Sequence, residues 1–221
     1  MKKIMFNDQY GLTDAVLEGK KTMTRRTVKW DILCDGREDT ICVVAVKERP
    51  DGRRVFTTYN TAGNPVGQAV SPYRIGEEVA IAQKYKDCWD IYQEQWEAKK
   101  DPFDWHTPDA ILGDQVDRVK GWTNKMFVRA DLMPNRIRIT NIKVERLQDI
   151  SEEDAMREGI RQSVIEYGDK KIVQWTYFGE KITTWFDSPR DAFAALIDRI
   201  SGRGTWDRNP WVFAYEFKLL Q

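Results

Sequence analysis

Gly19, Lys20, Lys21, Thr22, Met23, Thr24, Arg25 and Arg26 place four cations and two hydroxyls within eight consecutive residues. That composition suits gripping an anion or activating a hydroxyl as a nucleophile. The preceding segment, Asp8 to Glu18, carries Leu12, Ala15 and Val16 at helical spacing, and Gly19 stands where a helix ends in a left-handed turn. Beyond the turn, Thr22, Thr24 and Arg26 alternate with Met23, Arg25 and Thr27, the pattern of a strand. Lys21 and Thr24 therefore flank a helix-to-strand corner from which side chains can converge on one pocket. The plainer alternative is a solvated strand edge, where positive charge blunts sheet pairing and Thr24 is an ordinary strand threonine.

Other chemistries find little support. Cys34, Cys42 and Cys88 are odd in number and widely spaced, which fits reduced thiols better than a disulfide framework, and they form no metal-ligand pair. His106 is the single histidine, so a zinc deaminase signature is absent and a Ser-His-Asp hydrolase is disfavoured. No metal and no cofactor is expected. The 35 basic and 35 acidic residues cancel, leaving nucleic-acid binding to a local patch. Met1 to Phe6 is too short for the apolar region of a signal peptide and no run reaches membrane-span length, so a cytoplasmic protein without membrane contact is expected.

The elements that must position the corner follow from patterning. Lys3 to Phe6 predicts a short strand, and Ile41 to Lys47 with Arg53 to Tyr59 predicts a hairpin turning at Asp51-Gly52. Asn60 to Pro72 reads as a loop, and Ile75 to Glu78 as a turn into a core strand at Val79 to Ala82. From Tyr85 to Lys125 a partly helical insertion is expected, with Trp89, Trp96, Trp105 and Trp122 among its aromatics. These tryptophans either stack bases or build a small core beneath the insertion. Arg136 to Leu147 alternates, but its apolar side switches midway, predicting a long strand with a bend near Thr140 and Asn141. Ser151 opens a short capped helix stapled by Ile150 and Ala155 and stopped at Gly159. Ser188 or Asp187 caps a longer helix with Phe193, Leu196, Ile197 and Ile200 on one face, and Trp211 to Leu219 forms the last strand. The chain reads as one α+β domain, 1–221, a small mixed barrel with peripheral helices and an insertion at about 85–125.

Three segments together resemble the ASCH family, whose fold is a PUA-like β-barrel. They are the Gly19 to Arg26 corner, the Ile75 to Val79 strand entry, and Val144 to Ile160. The last, with Trp206 to Val212, looks particularly like longer, phage-associated members. Gln83 stands where such members often show an acid. The resemblance implies binding of a nucleoside, nucleotide or RNA base. For its short members it implies a metal-independent amidohydrolase that removes the acetyl group from acetylated cytidine with a Lys, a Thr and a Glu. Those three fall on Lys21, Thr24 and Glu158.

Under that resemblance Thr24 is the nucleophile, Lys21 its base, and Glu158 a partner or acid, while Thr22, Arg25 and Arg26 bind substrate. Lys20, Arg25 and Arg26 are expected to push Lys21 toward giving up its proton, and Glu158 to hold it. A carboxylate in the last turn before Gly159 also faces the negative end of a helix, so a nearby cation is expected beside Glu158. Glu18 occupies a similar position before Gly19 without an assigned role. The alternatives are a non-catalytic RNA-binding module, with Lys21, Arg25 and Arg26 on phosphate, and an accessory protein of a phage or mobile element acting through a protein partner.

Overall fold

Glycines with positive φ punctuate the chain at the corners that frame the site. Gly11 (φ 59°) splits the first helical stretch into a 3-10 turn, Asp8–Tyr10, and helix α1, Leu12–Leu17. The single helix expected from Asp8 to Glu18 is therefore interrupted, because the left-handed residue cannot continue a right-handed helix. Gly19 (φ 71°) then ends the stretch and releases the chain into strand β2, Met23–Thr27. The computed structural model describes residues 1–30, 32–33, 43–99, 120–167, 170–177 and 184–220. Cys34, Cys42, Phe103, Trp105 and His106 lie outside them.

The chain divides into two compact units. The first comprises Met1–Phe6, Glu78–Ile137 and Leu219–Gln221. Here β1, Lys2–Ile4, pairs in parallel with β7, Glu78–Ile81. The described part of the predicted insertion is the 3-10 turn Tyr85–Cys88, helix α2, Trp89–Lys99, and the turn Lys120–Trp122, with a further turn, Lys125–Phe127, at its end. Trp89 and Trp122 meet edge to face, with centroids 5.7 Å apart, and pack on a core of Tyr85, Val128 and Met133. These two indoles thus build a core under the insertion, as one of the two readings had it. Gln83 is buried and accepts a hydrogen bond from Asn135 Nδ2 at 2.8 Å, a packing role.

The second unit comprises Asn7–Glu77 and Arg138–Lys218. Besides β2 it contains β3, Ile32–Leu33; β4, Val43–Glu48; β5, Arg53–Tyr59; and β6, Pro65–Arg74. Strands β3 to β6 form a four-stranded sheet in the order β3-β6-β5-β4. The predicted hairpin is present as the β4–β5 pair. The loop expected from Asn60 to Pro72 is shorter than read. The Asn60 side chain accepts from the N–H groups of Ala62 and Asn64, closing a tight turn, and β6 starts at Pro65. Val66, Gly67, Ala69 and Ser71 on β6 are buried, and Gln68 between them is exposed, so this stretch packs as a strand and not as a solvated loop.

Strands β8, Arg136–Arg146, β11, Trp211–Leu220, and β2 are successive neighbours in a second sheet, and apart from residues 136–137 and 219–220 they belong to this unit. Ile137 and Ile139 are buried, then Ile142, which is the predicted switch of face. It occurs where Asn141 Oδ1 accepts from the N–H of Ile142 at 2.9 Å. Helix α3, Glu152–Arg157, is capped by Ser151, and helix α4, Pro189–Ser201, by Ser188. Hairpin strands β9, Ile160–Tyr167, and β10, Lys170–Tyr177, pair with each other, and α5, Thr205–Arg208, leads into β11. Phe56 of β5 packs on Phe213 of β11 with centroids 5.5 Å apart. The fold is mixed α+β, rich in sheet with few helices, and the pairing among the described residues does not close a barrel. Among the described residues no helix is long and apolar enough to cross a membrane.

Candidate active site at the Gly19 to Arg26 corner

Strand β2 is the edge of its sheet, yet its cations do not all face water. Lys20 and Arg26 are exposed, whereas Lys21 is 2% exposed and Arg25 is 5% exposed. The register sets which face each takes. Arg25 pairs with Ala214 and Thr24 with Tyr215, so Arg25 shares a face with Glu216, and Thr24 shares the opposite face with Tyr215.

Helix α3 supplies the partner for the buried lysine. Ser151 Oγ accepts from the N–H of Asp154 at 3.1 Å, Ile150 and Ala155 are buried, and the helix ends at Glu158 with Gly159 at φ 99°. The N–H of Thr22 donates to the carbonyl of Arg157 at 2.9 Å, tying the helix end to the corner. Lys21 Nζ donates to Glu158 Oε2 at 2.6 Å and to the Glu158 carbonyl at 2.6 Å. The lysine thus offsets both the carboxylate and an unpaired carbonyl at the negative end of the helix. That is the cation expected beside Glu158.

A charged network surrounds this pair. Arg25 Nη1 reaches Glu158 Oε1 at 3.0 Å. Its Nε and Nη2 reach Glu145 Oε1 at 2.9 and 2.6 Å, and Nη2 reaches Asp154 Oδ2 at 3.1 Å. Phe193 of α4 lies against the guanidinium, 6.0 Å from its carbon to the ring centroid. Arg157 donates to Asp154 Oδ1, Glu216 Oε2 and the Thr22 hydroxyl, and Lys143 lies 3.5 Å from Asp154 and 3.7 Å from Glu216. Glu145, Asp154, Glu216 and Arg157 escaped the sequence reading as site residues. The signal for Glu145 was present: Asn141, Lys143 and Glu145 recur at every second position after the switch in β8, a polar face that needs partners.

Burial pushes the Lys21 amine down from its ordinary value; Glu158 opposes this, and Arg26 and Arg25 add to it. Arg26 and Arg25 thus act on Lys21 in the expected direction. Lys20 lies 2.5 Å from Glu18, which gives Glu18 a surface partner. For Arg25, burial works against the charge, but Glu158 and Glu145 outweigh it and hold the guanidinium above its ordinary value.

The structure therefore brings Lys21 and Glu158 together. Thr24 is buried nearby in sequence, but among the described residues no hydrogen bond joins it to either, and strand alternation turns it toward Tyr215. The Tyr215 hydroxyl lies 3.3 Å from Ser71 Oγ, and burial pushes its phenol well up. Of the residues expected on substrate, Arg26 is exposed, Thr22 is half-buried and held by Arg157, and Arg25 is enclosed by carboxylates. Lys21 and Arg25 cannot both meet phosphate without leaving these buried partners. A shallow groove of about 480 Å³ lined by Lys20, Glu153, Met156, Arg157, Ile160 and Arg161 adjoins the α3 end of the site. Among the described residues no group of three or more His, Cys, Asp or Glu is placed to hold a metal ion.

No family model matches the chain, and no curated protein or solved structure matches it.

Proposed function

We propose that the Gly19 to Arg26 corner binds an acylated pyrimidine nucleoside of the acetylated-cytidine type and hydrolyses its amide, on an ASCH-like, PUA-type scaffold. The supporting observation is the buried Lys21–Glu158 pair at 2.6 Å. A buried ion pair is weak evidence for stability, and a lysine pressed by burial toward its neutral form is the kind of base that acyl transfer uses.

In this reading the neutral Lys21 amine swings from Glu158 to Thr24 as substrate enters and takes the hydroxyl proton. The Thr24 oxygen forms a bond to the acetyl carbon. The carbon–nitrogen bond then breaks, and the Lys21 ammonium returns its proton to the departing amine of cytidine. Lys21 then takes a proton from water, and the hydroxide bonds to the acetyl carbon. As the ester carbon–oxygen bond breaks, the Lys21 ammonium returns that proton to the Thr24 oxygen, so that one amide and one water give cytidine and acetic acid, which ionises to acetate. Glu158 stabilises the transient ammonium and draws it back after each turn. Arg26, exposed on the Thr24 side of β2, contacts the substrate in this reading.

Incubation with acetylated cytidine, followed by release of cytidine, tests the proposal. Turnover lost in both Lys21→Ala and Thr24→Ala is expected. Turnover unchanged by the two substitutions removes the assigned roles, and no turnover by the wild type removes the hydrolase reading.

A further inference from the structure

Glu158 divides its carboxylate between two cations. One oxygen takes Lys21 at 2.6 Å and the other takes Arg25 at 3.0 Å. Arg25 is otherwise fully committed to carboxylates, bonding Glu145 through two nitrogens and Asp154 through one, with only 1% of its side chain exposed. A planar guanidinium can span three carboxylates in fixed geometry, which a lysine cannot. The charged groups facing Lys21 are then Glu158 from the end of α3, and Arg25 and Arg26 from β2. Behind Arg25 stand Glu145 and Lys143 from β8, Asp154 and Arg157 from α3, and Glu216 from β11.

Without Arg25, Glu145, Asp154 and Glu158 would lose their shared counter-ion, and the nearest remaining cation to Glu158 would be Lys21. The amine would be held as ammonium. We propose that Arg25 is a positioning residue: by spanning Glu158, Glu145 and Asp154 it takes up their charge and leaves Lys21 free to release its proton to an acceptor at the corner. The use of that release rests on the deacylation reading above, whereas the positioning rests on the hydrogen bonds alone.

The test titrates Lys21 directly, by NMR of protein labelled with ¹³C-lysine, its resonance identified by its loss in Lys21→Arg. Arg25→Met is expected to raise the Lys21 midpoint by about one pH unit or more, the size of effect one adjacent charge exerts. Glu145→Gln, which keeps Arg25 and frees more of it for Glu158, is expected to lower the midpoint. A midpoint unmoved in a folded variant, or moved the opposite way, overturns the proposal, because a merely structural arginine would leave Lys21 where it was. If Arg25→Met fails to fold, Glu145→Gln alone decides. Turnover of acetylated cytidine is recorded separately: shifted midpoints without turnover leave the positioning intact and remove the reaction, and turnover with unmoved midpoints does the reverse.

Discussion

Burial drives the Lys21 amine to give up its proton while Glu158 holds it, and the balance lies below the ordinary 10.5. The folded state therefore binds fewer protons than the unfolded state between the lowered value and 10.5. Stability contributed by Lys21 rises with pH across that alkaline window and is fully gained above 10.5. Urea midpoints followed through the window should climb less in Lys21→Met than in the wild type; an identical climb would show that Lys21 is not the group responsible. Glu158→Gln leaves Lys21 and one donor of Arg25 without a charged partner in a buried place. The expected loss is about 3 kcal/mol by urea unfolding, the scale of breaking a buried pair. A loss under about 0.5 kcal/mol, the scale of an ordinary surface change, would mean that water reaches the pair.

At the scale of elements, the site depends on two short turns that close on one another. Helix α3 spans only Glu152–Arg157, too short to persist without its cap and its packing. Ser151→Ala should cost about 1 kcal/mol and lower turnover more than an equally destabilising change on the β9–β10 hairpin, since Glu158 is the residue that ends α3. Gly159→Ala is the sharper probe. Its φ of 99° is strained for any side chain, and the added carbon would stand 3.4 Å from Leu12 Cδ2 and 3.6 Å from Lys21. A loss of 1 to 3 kcal/mol or so with the Lys21 resonance displaced is expected. Unchanged spectra would separate α3 from the corner. Much of this was legible in sequence, because Ser151, Gly159, Gly19 and the alternation of β2 are local signals with local causes. The ends of β6 and the break at Gly11 were less legible: Gly67, Gln68 and Ser71 read as loop until burial of Val66 and Ala69 against the sheet is known. The carboxylates gathered on Arg25 come from β8 and α3, 120 and 129 residues away in the chain for Glu145 and Asp154, a distance no spacing rule spans.

Across the whole molecule, 35 acids balance 35 bases, so no long-range field gathers polyanions. Nucleoside binding should be nearly indifferent to salt between about 50 and 200 mM, in contrast with the steep loss that several phosphate contacts produce. A steep loss would favour RNA as the ligand. On the acid side, burial would raise Glu216, but hydrogen bonds from Arg157 and Asn141 outweigh it and hold the carboxylate below its ordinary 4.5. That stability is present above 4.5 and disappears as pH falls through the lowered value. Glu216→Gln should flatten the acid limb of the unfolding profile, and an unaltered limb would discount the network. The most direct measurement of the central claim is the pH dependence of acetylated-cytidine hydrolysis by the wild type and by Lys21→Met. A wild-type rate that rises as Lys21 loses its proton, with the variant at least about a hundredfold slower and flat with pH, is the predicted result. A wild-type rate indifferent to pH across that rise, or a variant as fast as the wild type, would contradict it.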